Sequence, residues 1–373
     1  MKSGEIAQTN FTQVIPFEYR MNLIVIKPII NGKERHMIFD TGAPNVITKE
    51  LANELKLETM VKQKTMDSQG ANSSLGFCVV PKISLAGIDF IQTAAAIADF
   101  SNTPEMSALQ IDGIIGANLM RKATWKIDFQ TQKITFTSNT DTCKSTHSIP
   151  FIPTVTGTPI IDVTYDGVTD GLMVFDTGSN GDITGTESTF RKLRKKGKAK
   201  DYIWNYGNFS AGLYGLGKAD TTFTAVIDTL KIGNIKLNHT RVDFSKGKVK
   251  TVGLQFTSNY RTTIDWKKKK IYLEEITKYQ NLPYVSIGFS VKKMGEKIFV
   301  ANVFPNTDAA RKGLTVGQQI KSINQHELTS NLLEVYEVFH TQKVIRTGLN
   351  ELVLLDANGN EKRVEVLYEA LLK

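Results

Sequence analysis

The chain has 373 residues, a length that suits two or three domains, and its 41% apolar content feeds ordinary cores and excludes a disordered chain. Two cysteines, Cys78 and Cys143, exclude a disulfide framework but not a single bridge, and two free thiols is the preferred reading. A net charge of +9 invites a nucleic-acid role, yet no helix-turn-helix, zinc-finger or aromatic-laced RNA-binding signature accompanies it, so no nucleic-acid partner is expected. The histidines His36, His147, His239, His326 and His340 are scattered without metal-ligand spacing, and neither a metal nor a cofactor is expected. The apolar stretch Leu23 to Ile30 is broken by Lys27 and too short for a bilayer, so no transmembrane segment is expected. No apolar run follows Met1-Lys2-Ser3-Gly4-Glu5, which points to the cytoplasm, or to the cell envelope or periplasm if a leader has been removed.

Taken in order, the chain states a unit and then repeats it. Ile15-Pro16-Phe17 recurs as Ile149-Pro150-Phe151, at an offset of 134, and the hairpin turn Asn31-Gly32 recurs as Asp166-Gly167, at 135. Ile38-Phe39-Asp40-Thr41-Gly42-Ala43 returns as Val174-Phe175-Asp176-Thr177-Gly178-Ser179, at 136. Ile114-Ile115-Gly116 answers to Thr251-Val252-Gly253 and Ile127-Asp128-Phe129 to Ile264-Asp265-Trp266, both at 137. A drift of three residues is what small loop changes produce, so the unit reads as duplicated.

Within a unit, runs such as Asn22 to Ile26 and Lys133 to Thr137 are short, β-branched and bounded by turn residues, the pattern of strands. Thr48 to Leu57 predicts a helix with Thr48 as N-cap and Leu51 and Leu55 on one face. The polar stretch Met66 to Gly76 predicts a hairpin tip, with Gln69, Gly70 and Ala71 as flap candidates; Tyr206 to Gly215, with Gly212 and Tyr214, is its counterpart. The basic run Arg191 to Lys200 reads as an insertion of the second copy, a solvated face. The last strand of that copy is expected to end near Leu273, with a linker from Glu274 to Pro283. Many short strands and few helices predict a mainly β chain whose sheets curl into barrel-like lobes.

The repeated Asp-Thr-Gly carries the chemistry. One copy would be turn chemistry, since Asp and Gly favour tight turns for local reasons. Two copies at the ends of apolar strands place two carboxyl groups where burial penalises the ionised form. Brought together, the two repel, and one keeps its proton. Gly42 and Gly178, lacking a Cβ, allow close approach to the carboxyl groups. Thr41 and Thr177 supply hydroxyls that can bond across the axis.

These residues resemble the aspartic protease superfamily, in its retroviral-type and pepsin-like forms together. The resemblance implies two duplicated retropepsin-like β-barrel lobes, residues 15–138 and 149–277, with a pseudo-twofold catalytic cleft. Asp40 and Asp176 are then the catalytic pair of an aspartic endopeptidase, supported by Thr41, Gly42, Ala43, Thr177, Gly178 and Ser179. Ile115 and Gly116, with Val252 and Gly253, stand as braces behind them, the second a looser match than the first. A peptide or protein substrate follows, with activity favoured at acidic to mildly acidic pH. The alternative is a non-catalytic peptide-binding or scaffolding protein that retains the fold. Residues 284–373 resemble a PDZ domain, in which Ser286, Ile287, Gly288 and Phe289 form the loop that receives a peptide C-terminus. Asn331 to Thr341 reads as the helix of its groove, with Leu332, Leu333, Tyr336 and Phe339 available for burial.

Overall fold

The structure, a computed structural model, describes residues 4–373 except 67–71, 102, 140–144, 208–210, 213–214, 247–249, 341–342 and 357. Among the described residues the chain is mainly β, with strands gathered in sheets of eleven, six, fifteen and two.

Both copies are built alike. In the first, Leu23–Ile26 pairs with Met37–Asp40, which runs parallel to Gly113–Gly116. Gly113–Gly116 then pairs antiparallel with Val46–Thr48, whose parallel neighbour is Ile88–Ala98, itself paired with Asn72–Leu85. In the second, Pro159–Tyr165, Val168–Phe175, Thr251–Val252, Ile183–Thr186, Ile235–Ser245 and Asp220–Ile232 follow in the same order. The two hairpin turns agree as well. Asn31 and Gly32 have φ of 52° and 75°, and Asp166 and Gly167 have 46° and 77°. Positive φ at both central positions matches the twist of the flanking strands, which is why Asn-Gly and Asp-Gly stand there.

Strand alternation sorts the apolar residues into two cores. Met37, Phe39, Ile47 and Ile115 join the main cluster, which Phe175, Ile183 and Val252 of the second copy also enter. Ile38, Val46 and Ile114 point the other way into a second cluster with Leu75, Phe100 and Ile111.

The copies meet in the six-stranded sheet, where Thr124–Asp128 pairs with Tyr260–Asp265 and each is flanked by strands of its own copy. Lys126 lies opposite Thr263, its own counterpart at the offset of 137, so the axis relating the copies passes through that pair. Trp125 is fully buried beneath it, stacked on Phe136 at 4.8 Å and 5.3 Å from Phe39. The inter-copy sheet and the strand bearing Asp40 therefore share one packed core, and truncating Trp125 to Ala would cost about 3–5 kcal/mol.

The helix after Thr48 spans Lys49–Glu54, and the Thr48 hydroxyl accepts from the Leu51 amide at 3.1 Å. The basic run is an insertion only in part: its helix starts where the first copy's helix does but is three residues longer, and the next strand, Tyr202–Gly207, stands 141 residues after Val61–Met66 against 137 at the braces. The first residues of the run belong to the helix Glu187–Lys195, capped by Thr186 and seated where Lys49–Glu54 sits in the first copy. Phe190 and Leu193 bury one face while the cations project outward, a helical pattern that charge density alone conceals. The last strand of the copy is Lys270–Glu275, slightly longer than expected. The segment after it is tied down: the Tyr279 hydroxyl donates to the Asp182 carboxylate at 2.9 Å and Asn281 Nδ2 donates to it at 2.8 Å.

From Tyr284 onward the strands Tyr284–Ser286, Phe289–Met294, Lys297–Val303, Gln319–Ile323, Gly348–Leu355 and Glu361–Leu372 enclose a separate core around Val300, Ile320, Leu352 and Val366. Its helix Leu332–His340 has two apolar faces. Val338 and Phe339 pack into the module, whereas Leu333 and Tyr336 pack on the second cluster of the first copy. The reading that assigned Leu333 and Tyr336 to the module's own groove is thereby corrected, because residues three apart share the face that docks on the neighbouring lobe. On the other side Lys297–Val303 pairs with the second-copy strand Tyr202–Gly207, at Tyr206–Val303 and Gly207–Asn302. The module thus touches both copies. Cys78 is buried and free, while Cys143 lies outside the described residues.

Candidate active site

Asp40 ends the strand Met37–Asp40, and Asp176 directly follows Val168–Phe175. Phe39 and Phe175 precede them, both fully buried, and anchor each carboxyl at the edge of the core. Behind them the braces run parallel, Ile115 beside Phe39, Gly116 beside Asp40, and Val252 beside Phe175.

The two turns lock together reciprocally. The Thr177 hydroxyl accepts from the Thr41 amide at 3.0 Å, and the Thr41 hydroxyl accepts from the Thr177 amide at 3.0 Å. Each hydroxyl then donates across the axis, Thr41 to the Phe175 carbonyl at 2.6 Å and Thr177 to the Phe39 carbonyl at 2.9 Å. Both threonines are fully buried, so these groups have no water to fall back on.

The glycines set the approach of the acids. A Cβ built on Gly42 would stand 2.5 Å from Cγ of Asp176, and one on Gly178 would collide with the carboxyl of Asp40. Each glycine therefore makes room for the carboxyl of the other copy. Within its own turn Asp40 accepts from the amides of Gly42 at 2.6 Å and Ala43 at 3.1 Å, and Asp176 accepts from Gly178 at 2.8 Å. Burial first, then the Asp176 charge and a hydrogen bond between the two, hold the carboxyl of Asp40 well above the ordinary range. Burial also raises Asp176, against the lowering effect of the Gly178 amide. The pair is built to keep one proton where isolated carboxyl groups would hold none.

The braces differ in detail but not in tightness. The Gly116 amide donates to Oδ1 of Asn45 at 2.6 Å, and the Gly253 amide donates to the main-chain carbonyl of Asp182 at 2.7 Å. Ala43 accepts from the Ala117 amide and Ser179 from the Leu254 amide, each at 2.8 Å. The looser sequence match at Val252-Gly253 does not loosen the packing, because main-chain bonds replace the side-chain bond and Val252 is fully buried. Asn45 and Asp182 went unread in the sequence, although they stand 137 apart, the offset of the braces. Asp182 is buried and pushed upward by desolvation, against the opposing effects of Asn281, Arg241 and Tyr279.

Of the flap candidates, Gln69, Gly70, Ala71 and Tyr214 lie outside the described residues. Gly212 belongs to the short pair Ala211–Gly212 with Gly215–Leu216. The strands that carry these tips are Val61–Met66 with Asn72–Leu85, and Tyr202–Gly207 with Asp220–Ile232. In the C-terminal module Ser286 ends a strand and Phe289 opens the next. Between them Ile287 is buried and Gly288 turns at a φ of 87°. The Gly288 amide is engaged by the Ser286 hydroxyl at 3.1 Å, and its carbonyl accepts from the Phe304 amide at 2.9 Å.

Among the described residues no group of three His, Cys, Asp or Glu side chains could hold a metal, and no helix is long and apolar enough to cross a membrane. No curated protein matches the chain. Residues 26–119 match the family model described as aspartyl protease, a span that includes Asp40 and Gly116 but not the second copy.

Proposed function

We propose that the chain is an aspartic endopeptidase, with Asp40 and Asp176 as the catalytic pair and residues 15–138 and 149–277 as its duplicated lobes. The observation that carries this reading is the reciprocity of the two turns: each threonine bonds the opposite main chain, and each glycine faces the opposite acid. That pattern suits a twofold arrangement of two carboxyl groups around one small space. A water seated between them loses a proton to the ionised carboxylate as its oxygen attacks the scissile carbonyl carbon. The protonated partner donates to the carbonyl oxygen, giving a neutral tetrahedral diol. One diol hydroxyl then gives its proton back to the now ionised carboxylate while the other carboxyl passes the water-derived proton to the leaving nitrogen; the C–N bond breaks to a carboxylic acid and an amine, and no covalent enzyme intermediate forms. The threonine bonds hold both acids in place, so little reorganisation accompanies the proton shifts.

Residues 284–373 are read as a PDZ domain that binds peptide or governs access. The loop from Ser286 to Phe289 and the helix Leu332–His340 support that reading, and the turn at Gly288 gives the loop its shape.

Cleavage-site profiling on a mixed peptide library, run from strongly acidic to mildly alkaline pH, tests the proposal. Cleavage is expected to be strongest on the acidic side and to vanish in Asp40→Asn and in Asp176→Asn. Retained cleavage in either purified variant would refute it.

A further inference from the structure

The charge of the chain is concentrated. Residues 191–200 hold seven of its cations and no acid, so they supply most of the net +9. All seven are exposed. Arg191 pairs with Glu187, and Arg194 lays its guanidinium over the ring of Tyr202 at 4.6 Å. Among the described residues Lys192, Lys195, Lys196, Lys198 and Lys200 have no ion pair. A solvated face needs no such density, and the cations do not stand alone.

Phe190 of the same helix packs against Tyr202 at 5.2 Å and stacks on Phe223 at 4.4 Å, so the helix lies on the face of the hairpin that carries Tyr202, Trp204 and Tyr206. These three are 38%, 41% and 53% exposed, an unusual aromatic row for a solvent face. Beside them a groove of about 390 Å³ runs between Tyr202–Trp204 and the segment Phe304, Pro305 and Asn306. Its one carboxylate, Glu369, faces Arg311 at 3.7 Å and accepts from the Asp308 amide.

The third feature is main-chain. The strand Tyr202–Gly207 is bonded along one edge to Asp220–Ile232, but along the other it meets Lys297–Val303 only at Tyr206 and Gly207. From Tyr202 to Asn205 that outer edge has no strand partner among the described residues. The open edge and the groove share Tyr202, and Arg194 over that ring ties both to the helix that carries the cations.

We propose that this groove docks an acidic polypeptide in extended form, which adds a strand to the edge Tyr202–Asn205 and lays its carboxylates along Lys195, Lys196 and Lys198. Main-chain pairing supplies the geometry, the exposed Trp204 takes an apolar side chain of the ligand, and the basic run supplies selection for charge. This docking is separate from the chemistry at Asp40 and Asp176 and does not depend on it.

Trp204 reports the event directly. The chain has three tryptophans, and Trp125 and Trp266 are 0% and 7% exposed, so a change in indole emission on binding comes from Trp204. The test titrates a short labelled peptide of glutamate and serine with one central leucine into the full chain and into Asp40→Asn, in which cleavage cannot deplete the peptide. Three comparisons accompany it: the lysine-for-glutamate peptide, a version with prolines flanking the leucine, and the variant Lys195→Glu/Lys196→Glu/Lys198→Glu. The glutamate peptide is expected to bind and shift Trp204 emission, and charge reversal to weaken binding at least about tenfold. The proline version, which lacks the donors for strand pairing, is expected to bind weakly at any charge. Equal binding of acidic and basic peptides, indifference to charge reversal, or a preference for single-stranded RNA or anionic vesicles over the peptide would overturn the proposal.

Discussion

Replacing Thr41 by Val keeps the shape of the side chain and removes one hydroxyl at the axis between the copies. That hydroxyl accepts from the Thr177 amide at 3.0 Å and donates to the Phe175 carbonyl at 2.6 Å, in a place with no exposure to solvent. Both partners are then left buried and unbonded, at about 1–3 kcal/mol each, so the variant should lose about 2–6 kcal/mol. For a cooperative unit of this size each kcal/mol lowers the midpoint by about 2–4 °C, which puts the fall at about 4–24 °C. Scanning calorimetry measures it, with Thr41→Ser as the control that restores the hydroxyl. Thr177→Val should fall by a similar amount, since its hydroxyl makes the mirror-image pair of bonds. The double variant should lose less than the sum, because the second hydroxyl sits on an axis the first loss has already loosened. If Thr41→Val melts within about a degree of the parent, the crossing bonds contribute nothing and the mechanism built on rigid acids fails with them.

Other perturbations reach the same site by different routes. Gly178→Ala should abolish cleavage and cost about 1–3 kcal/mol, because the new methyl occupies the space of the Asp40 carboxyl; urea midpoints and a peptide assay read both. The raised carboxyl groups give a signed pH effect: their folded-state pKa lies above the unfolded value, so the stability they contribute is present in acid and is lost as pH rises through the raised value. Asp40→Asn, which cannot ionise, should flatten that loss in melting curves collected across pH, and a parallel decline in the variant would count against the shared proton. Tyr279→Phe removes the donor to both oxygens of Asp182 and should cost about 1.5–3 kcal/mol, seen as a lower denaturation midpoint. Leu333→Ala with Tyr336→Ala should speed amide hydrogen exchange in Pro104–Ala108 and in the Asn72–Leu85 strand, which border the cluster those side chains pack on.

Local chemistry made the acid turns legible in the sequence. Asp-Thr-Gly after an apolar strand, given twice at a near-constant offset, constrains both ends of the problem at once, and the braces follow from the same repeat. The basic run was harder. Seven cations in ten residues hide the apolar pair Phe190 and Leu193 that makes the stretch an ordinary amphipathic helix. Tyr336 was legible as apolar but not as belonging to the first copy, because periodicity tells which residues share a face and not what the face meets. Asn45 and Asp182 stayed invisible for a related reason. An amide and an acid at matched positions look like loop residues until their partners, the amides of Gly116 and the side chains of Tyr279 and Asn281, are brought beside them.

The strand shared between the second copy and the C-terminal module has a mechanical consequence. Among the described residues Val61–Met66 is laced to one strand, Asn72–Leu85 of its own half. Tyr202–Gly207 is laced on both sides at its far end, so any outward swing must either drag the module along or tear the pairing at Tyr206 and Gly207. The two halves that share the acid pair are thus tied down unequally, the outer strand of one to its own half and that of the other to the C-terminal module as well.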